Sequence, residues 1–159
     1  MVFSGPFVIN FDNFASTEGQ AVTTRILLVD DFQPWRVAAS RILSSAPDFQ
    51  IVGEASDGVE AIEKAATLIP DVVLLDIGLP LLNGLEAARQ IRQASPQSKI
   101  IFLTGQDDED LRDAAFARGA EAYVVKSRAA RELQLSLEAA IRRTREAPAS
   151  FGCPQPSLS

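Results

Sequence analysis

The sequence predicts an α/β fold, a doubly wound sheet of five parallel strands in the order 2-1-3-4-5 with helices on both faces. Three observations carry that expectation. Five short apolar runs recur along the chain, segments of helical periodicity separate them, and three of the runs are apolar without alternation. Alternating strand and helix patterns argue for crossover connections and a parallel sheet. Continuously apolar strands are those of a sheet covered on both faces. Five parallel strands suit the doubly wound order whose switch point lies between strands 1 and 3.

The elements follow in order. Ile26-Leu27-Leu28-Val29 ends on Asp30 and Asp31. Pro34 then suits the first turn of a helix, where its missing N–H is no loss, and Ala38, Ala39, Ile42 and Leu43 share one face. A helix starting there places Trp35 near the end of the first strand. Ile51-Val52 is the second run, and after Asp57-Gly58 a helix turns Ala61, Ile62, Ala65 and Ala66 inward. Val72-Val73-Leu74-Leu75 runs into Asp76, and a helix after Asn83-Gly84 carries Leu85, Ala88 and Ile91 on one face. Ile100-Ile101-Phe102-Leu103 ends on Thr104. A fourth helix is expected from Asp108 to Ala117, stopped at Gly119. Tyr123-Val124-Val125 ends on Lys126, and the last helix turns Ala130, Leu133, Leu137, Ala140 and Ile141 inward. Its Arg142, Arg143 and Arg145 complement the helix C-terminus.

Composition narrows the function classes. The chain has 159 residues, room for one ordinary domain. Its formal charge of −6 argues against a general nucleic-acid binder, whose footprint is a basic stripe. Histidine is absent, which removes His-dependent triads and His metal ligands. The single cysteine, Cys153, forms no intramolecular disulfide. No apolar run reaches the length of a membrane span and no secretory signal opens the chain, so a cytoplasmic protein without membrane contact is expected. The domain is expected over residues 25–146. Residues 1–24 read as a flexible arm and residues 147–159 as a disordered, Pro- and Ser-rich tail. In the arm, Phe3, Phe7, Phe11 and Phe14 have the spacing of an apolar helical stripe. Gly5, Pro6, Asn10 and Asn13 oppose a helix there.

The chemistry gathers at the strand ends. In the 2-1-3-4-5 order, Asp30, Asp31 and Asp76 converge on the crevice outside the carboxyl ends of strands 1 and 3. Closely packed carboxylates repel one another and call for a cation or raised pKa values. Hard oxygen ligands select Mg²⁺, which takes one or two carboxylates together with a phosphate oxygen. Thr104 brings a hydroxyl donor and Lys126 a cation to the same side. Phosphoryl transfer depends on positioning and charge neutralisation, so Asp76 is a candidate acceptor forming an aspartyl-phosphate. Taken singly, an Asp pair after a strand is usually a cap, and a lone Lys or Thr is usually structural. Their joint placement at four strand ends argues against that reading.

At these residues the sequence resembles the receiver domains of bacterial two-component response regulators. The matching stretches are Ile26 to Asp31, Asp71 to Pro80 with Asn83-Gly84, Phe102 to Gly105, and Gly119-Ala120 through Lys126-Ser127. The resemblance implies the flavodoxin-like receiver fold and phosphotransfer to Asp76 from a sensor histidine kinase or phosphotransfer protein. It implies Mg²⁺ bound by Asp31, Asp76 and the backbone carbonyl of Gly78, with Asp30 acting through water. Thr104 and Lys126 would hold phosphoryl oxygens, and Tyr123 matches the switch aromatic that moves inward with Thr104. The protein is then no enzyme in the usual sense, since it catalyses only its own phosphotransfer and dephosphorylation. Ser127 departs from the family, which often has proline there after a cis bond; a cis bond to a non-proline costs about 2.5–4 kcal/mol. Gly78 and Gln106 stand where the family tunes phosphoryl lifetime, and together they assign neither fast nor slow decay.

Regulators similar in this region often continue into a helix-turn-helix output domain. About a dozen residues follow the fifth helix here, too few for such a module. The expected output is therefore phosphorylation-dependent binding of a downstream protein through helix 4, strand 5 and helix 5, without direct DNA contact. The alternative is the receiver part of a longer DNA-binding regulator, and a homodimer stays open. An aspartate-nucleophile phosphatase of the haloacid dehalogenase type is disfavoured, because Gly78 stands where its second aspartate belongs. A flavin site is disfavoured because Phe32-Gln33-Pro34-Trp35 stands where a phosphate loop belongs. A scaffold with vestigial chemistry is disfavoured by the intact acidic pair, Thr104 and Lys126.

Overall fold

In a computed structural model of the chain, residues 22–146 are described. The Phe stripe of the arm, Cys153 and the expected tail lie outside them. Five strands and five helices alternate: β1 Thr24–Val29, α1 Gln33–Ser44, β2 Phe49–Ala55, α2 Gly58–Leu68, β3 Val72–Leu75, α3 Gly84–Ala94, β4 Lys99–Thr104, α4 Glu109–Ala117, β5 Ala122–Val125 and α5 Ala129–Glu146. A 3₁₀ turn, Lys126–Arg128, joins β5 to α5. The strands form one parallel sheet in the order β2-β1-β3-β4-β5.

Two apolar layers hold the helices to the sheet. On one face Leu27, Val29, Val73, Leu75, Ile100 and Phe102 pack against Ala61, Ala65, Ala88, Ile91 and Ala115. On the other, Ile26, Leu28, Leu74, Ile101 and Leu103 pack against Ala39, Leu43, Leu133 and Leu137. Every residue of β3 is buried, as its unbroken apolar run requires. β2, an edge strand, extends beyond the apolar pair Ile51-Val52, with Gln50 and Glu54 exposed, Ala55 buried and the rest half-buried. It also carries a register shift opposite Ile26 and Leu27.

The helix ends follow their local chemistry. The side chains of Asp57, Asn83 and Asp108 accept the backbone N–H of Glu60, Glu86 and Leu111 at 2.8, 3.0 and 3.0 Å. The fourth helix ends before Gly119, whose φ of +87° stops it as expected. Two inward assignments need correction. Ala66 is exposed, because the buried row of α2 passes through Ala61 and Ala65. In α5 the buried row is Ala129, Leu133, Leu137 and Ala140. Ala130, about 100° round the helix from Ala129, is exposed.

Candidate functional site

The register fixes the strand ends against one another. Val29 pairs with Leu75, so Asp30 and Asp76 leave neighbouring strands side by side, and the N–H of Asp76 donates to the carbonyl of Val29 at 3.0 Å. Thr104 pairs with Val125, which puts Lys126 one residue beyond it. The crevice outside β1 and β3 thus brings together Asp30, Asp31, Asp76 and Lys126, while Thr104 closes the next strand and its hydroxyl meets Gln106.

Carboxylate oxygens of Asp30, Asp31 and Asp76 lie within 4.8 Å of one another. Asp30 is 1% exposed, and its oxygens are engaged: Oδ1 accepts the N–H of Phe32 at 2.9 Å, and Oδ2 pairs with Lys126 Nζ at 2.5 Å. Lys126 Nζ also reaches Asp76 Oδ2 at 3.4 Å. Asp31 is exposed to solvent. Burial pushes the Asp76 carboxyl above the ordinary carboxylate range; Lys126 draws it back and the Asp30 charge adds to the rise. Three carboxylates facing one ammonium leave the cluster short of positive charge. That donor set, all oxygen and partly open to water through Asp31, fits a hard divalent cation.

Gly78 is exposed, its N–H lies 3.4 Å from Asp76 Oδ1, and a Cβ built there meets nothing within 4 Å. Packing therefore does not require the glycine, and its backbone borders the site openly. Thr104 is 3% exposed, and its Oγ1 accepts the N–H of Gln106 at 3.3 Å. The Tyr123 hydroxyl donates to the carbonyl of Gln106 at 2.8 Å, with the ring 7% exposed and the Arg112 guanidinium 4.9 Å from its centroid. Gln106 thereby links the loop after Thr104 to Tyr123. No peptide bond among the described residues is cis, so Lys126-Ser127 is trans.

Three supports were not read from the sequence. A Cβ on Gly84 would lie 2.0 Å from the carbonyl oxygen of Asp76 and 2.7 Å from Ile77 Cα, so α3 starts directly on the backbone that carries the candidate acceptor. The Gly84 N–H donates to the carbonyl of Ile77 at 2.8 Å. Gly58 makes the same kind of approach, with Leu82 O 2.2 Å from a built Cβ. The visible signal was the pair of helix starts, Asp57-Gly58 and Asn83-Gly84, which marks where each helix begins but not what its glycine rests on. Third is Arg36, which donates to the carbonyl of Asp30 at 2.6 Å and pairs with Glu54 at 2.7 Å, bracing the loop that holds Asp30.

The fold and this acidic crevice define a receiver, and comparison with known proteins agrees. The family model for the response regulator receiver domain matches residues 26–138, and the chain belongs to that family. It is 37% identical over 115 residues to the nitrate/nitrite response regulator protein NarL of Escherichia coli K12, a match covering 72% of this chain and 53% of NarL. It is 37% identical over 116 residues to the transcriptional regulatory protein LiaR of Bacillus subtilis, covering 73% of this chain and 55% of LiaR. The chain spans about half the length of these relatives. A LuxR-family two-component response regulator from Aurantimonas sp. SI85-9A1 superposes with a TM-score of 0.72 at 36% identity, over 76% of this chain and 86% of that one. Among the described residues, no helix is long and apolar enough to cross a membrane.

Proposed function

We propose that the protein is a phosphoacceptor switch that takes a phosphoryl group onto Asp76 from a phosphohistidine of a sensor kinase or phosphotransfer protein. One observation carries the reading: the buried Asp76 carboxylate lies beside an ammonium and two further carboxylates at the open end of the sheet. A carboxylate oxygen of Asp76 attacks phosphorus, the phosphorus–nitrogen bond breaks, and the leaving imidazole takes up a proton. Asp31, Asp76 and the Gly78 carbonyl would hold Mg²⁺, with Asp30 acting through water because its own oxygens are engaged. When bound, the cation neutralises charge on the transferred group. The Lys126 ammonium and Thr104 hydroxyl bind phosphoryl oxygens. Drawing Thr104 toward that group reaches Tyr123 through Gln106. The surface of α4, β5 and α5 then changes its affinity for a downstream protein.

A second reading is favoured by the length of the relatives: the described domain is the receiver part of a longer DNA-binding regulator. Both readings share the chemistry at Asp76 and differ in output. The test is incubation with Mg²⁺ and acetyl phosphate, followed by intact-mass measurement. Wild-type protein is expected to gain one phosphoryl group and Asp76→Asn none. Unmodified wild-type protein overturns the reading.

A further inference from the structure

Trp35 is the only tryptophan in the chain, and it sits in the first turn of α1. Part of its ring packs on the cluster containing Ile26, Leu28 and Leu133. That contact alone does not account for the residue. The indole Nε1 is buried with no acceptor among the described residues, a burial that costs free energy. A leucine or phenylalanine would pack there without that cost. What the indole supplies in addition is its face, and the Lys126 ammonium stands 5.4 Å from the ring centroid. Tryptophan presents the strongest aromatic face to a cation.

We propose that Trp35 is a positioning residue for Lys126. The inference rests on the reading of Lys126 as a phosphoryl ligand. The ammonium is held from three sides, by Asp30 Oδ2 at 2.5 Å, by Asp76 Oδ2 at 3.4 Å and by the indole face. Both carboxylates are charges that an incoming phosphoryl group and a metal ion must compete with or engage. The indole face is neutral and satisfied at no oxygen's expense. It keeps the ammonium at the mouth of the crevice when Asp30 and Asp76 are otherwise engaged, where an unsupported lysine would swing into solvent and lose the order that binding needs. Pro34 and the Arg36 contacts to Asp30 and Glu54 fix the turn that presents the ring.

The test separates binding of a phosphoryl mimic, which uses Lys126, from binding of Mg²⁺, which uses the carboxylates. Beryllofluoride binding in saturating Mg²⁺ is followed by fluorine NMR, and Mg²⁺ affinity is measured alone by proton NMR. Trp35→Leu is expected to weaken beryllofluoride roughly two- to fivefold, the size of a partly exposed cation–π contact, with Mg²⁺ affinity unchanged. Trp35→Phe, which keeps an aromatic face, falls between and decides the matter if the leucine variant does not fold. In a Lys126→Ala background, replacing Trp35 is expected to have no further effect. Wild-type binding by both Trp35 variants, a parallel fall in Mg²⁺ affinity, or an equal loss without Lys126 overturns the proposal while leaving the phosphoacceptor reading intact. Wild-type protein that binds no beryllofluoride overturns both.

Discussion

Replacing Gly84 with alanine is expected to destabilise the fold and disturb the acceptor at once. The added Cβ would lie 2.0 Å from the Asp76 carbonyl oxygen, 2.7 Å from Ile77 Cα and 2.8 Å from the Asp76 carbonyl carbon, all of them backbone atoms. No rotamer relieves such a contact, so α3 or the loop after β3 must move. Inserting a methyl group into a packed site costs about 1–3 kcal/mol, and backbone opposition puts this case at the upper end. Alanine recovers up to about 1 kcal/mol of helix propensity over glycine. The net loss is therefore on the order of 2 kcal/mol, a fall in melting temperature on the order of 10 °C for a domain of this size. Because the loop that yields carries Asp76 and Gly78, Mg²⁺ affinity is expected to fall as well. Urea unfolding and Mg²⁺ titration read the two effects. A Gly84→Ala protein with wild-type stability and wild-type Mg²⁺ affinity refutes the claim that α3 rests on the Asp76 backbone.

Three further outcomes follow from the same geometry. Burial raises the Asp76 carboxyl above its ordinary value of 3.8, so its contribution to stability is full below that value and is lost as pH rises through the folded pKa. In Mg²⁺-free urea melts, Asp76→Asn is expected to lack that loss and to exceed wild type in stability at neutral pH; a less stable variant there contradicts the electrostatic account. Burial also raises the hydroxyl of Tyr123, the only tyrosine, above its ordinary value of 10.0. An ultraviolet titration of the folded protein is expected to give a midpoint above that of the urea-unfolded chain, and stability is lost as pH rises between the two; coincident midpoints would place the ring in water. Ile69 caps α2 in the left-handed region, at φ +47°, and is exposed. Ile69→Gly is expected to stabilise the domain by about 1 kcal/mol in urea melts, and a loss of stability refutes strain at that cap.

What could be read in advance was whatever a single element determines. Val72 to Leu75 is apolar throughout because both sheet faces are covered, and that fixed the strand and the position of Asp76 at its end. Thr104 and Lys126 were legible for the same reason, since each closes an apolar run at the chemically useful end of a parallel sheet. The edge strand was harder, because polar Gln50 and Glu54 and the bare Gly53 flank Ile51-Val52 and shrink its apolar signal to that pair. The inward row of α5 was ambiguous at its start, because Ala129 and Ala130 lie four and three residues before Leu133 and helical spacing lets either share its face; the fold buries Ala129. Gly58 and Gly84 looked like ordinary helix openings. Their demand for a missing side chain comes from Leu82 and Asp76, brought close only by the fold. The hold of Arg36 on Asp30 and Glu54, and that of Trp35 on Lys126, likewise join separate elements, and no local pattern announces them.

The central claim is that Asp76 is the group that carries the phosphoryl, and its location can be measured directly. Wild-type protein treated with acetyl phosphate and Mg²⁺ is reduced with borohydride, which marks the carbon of an acyl phosphate, and the marked peptide is mapped by mass spectrometry. The mark is predicted at Asp76. A mark at Asp30 or Asp31, or none in protein that binds Mg²⁺, contradicts the account.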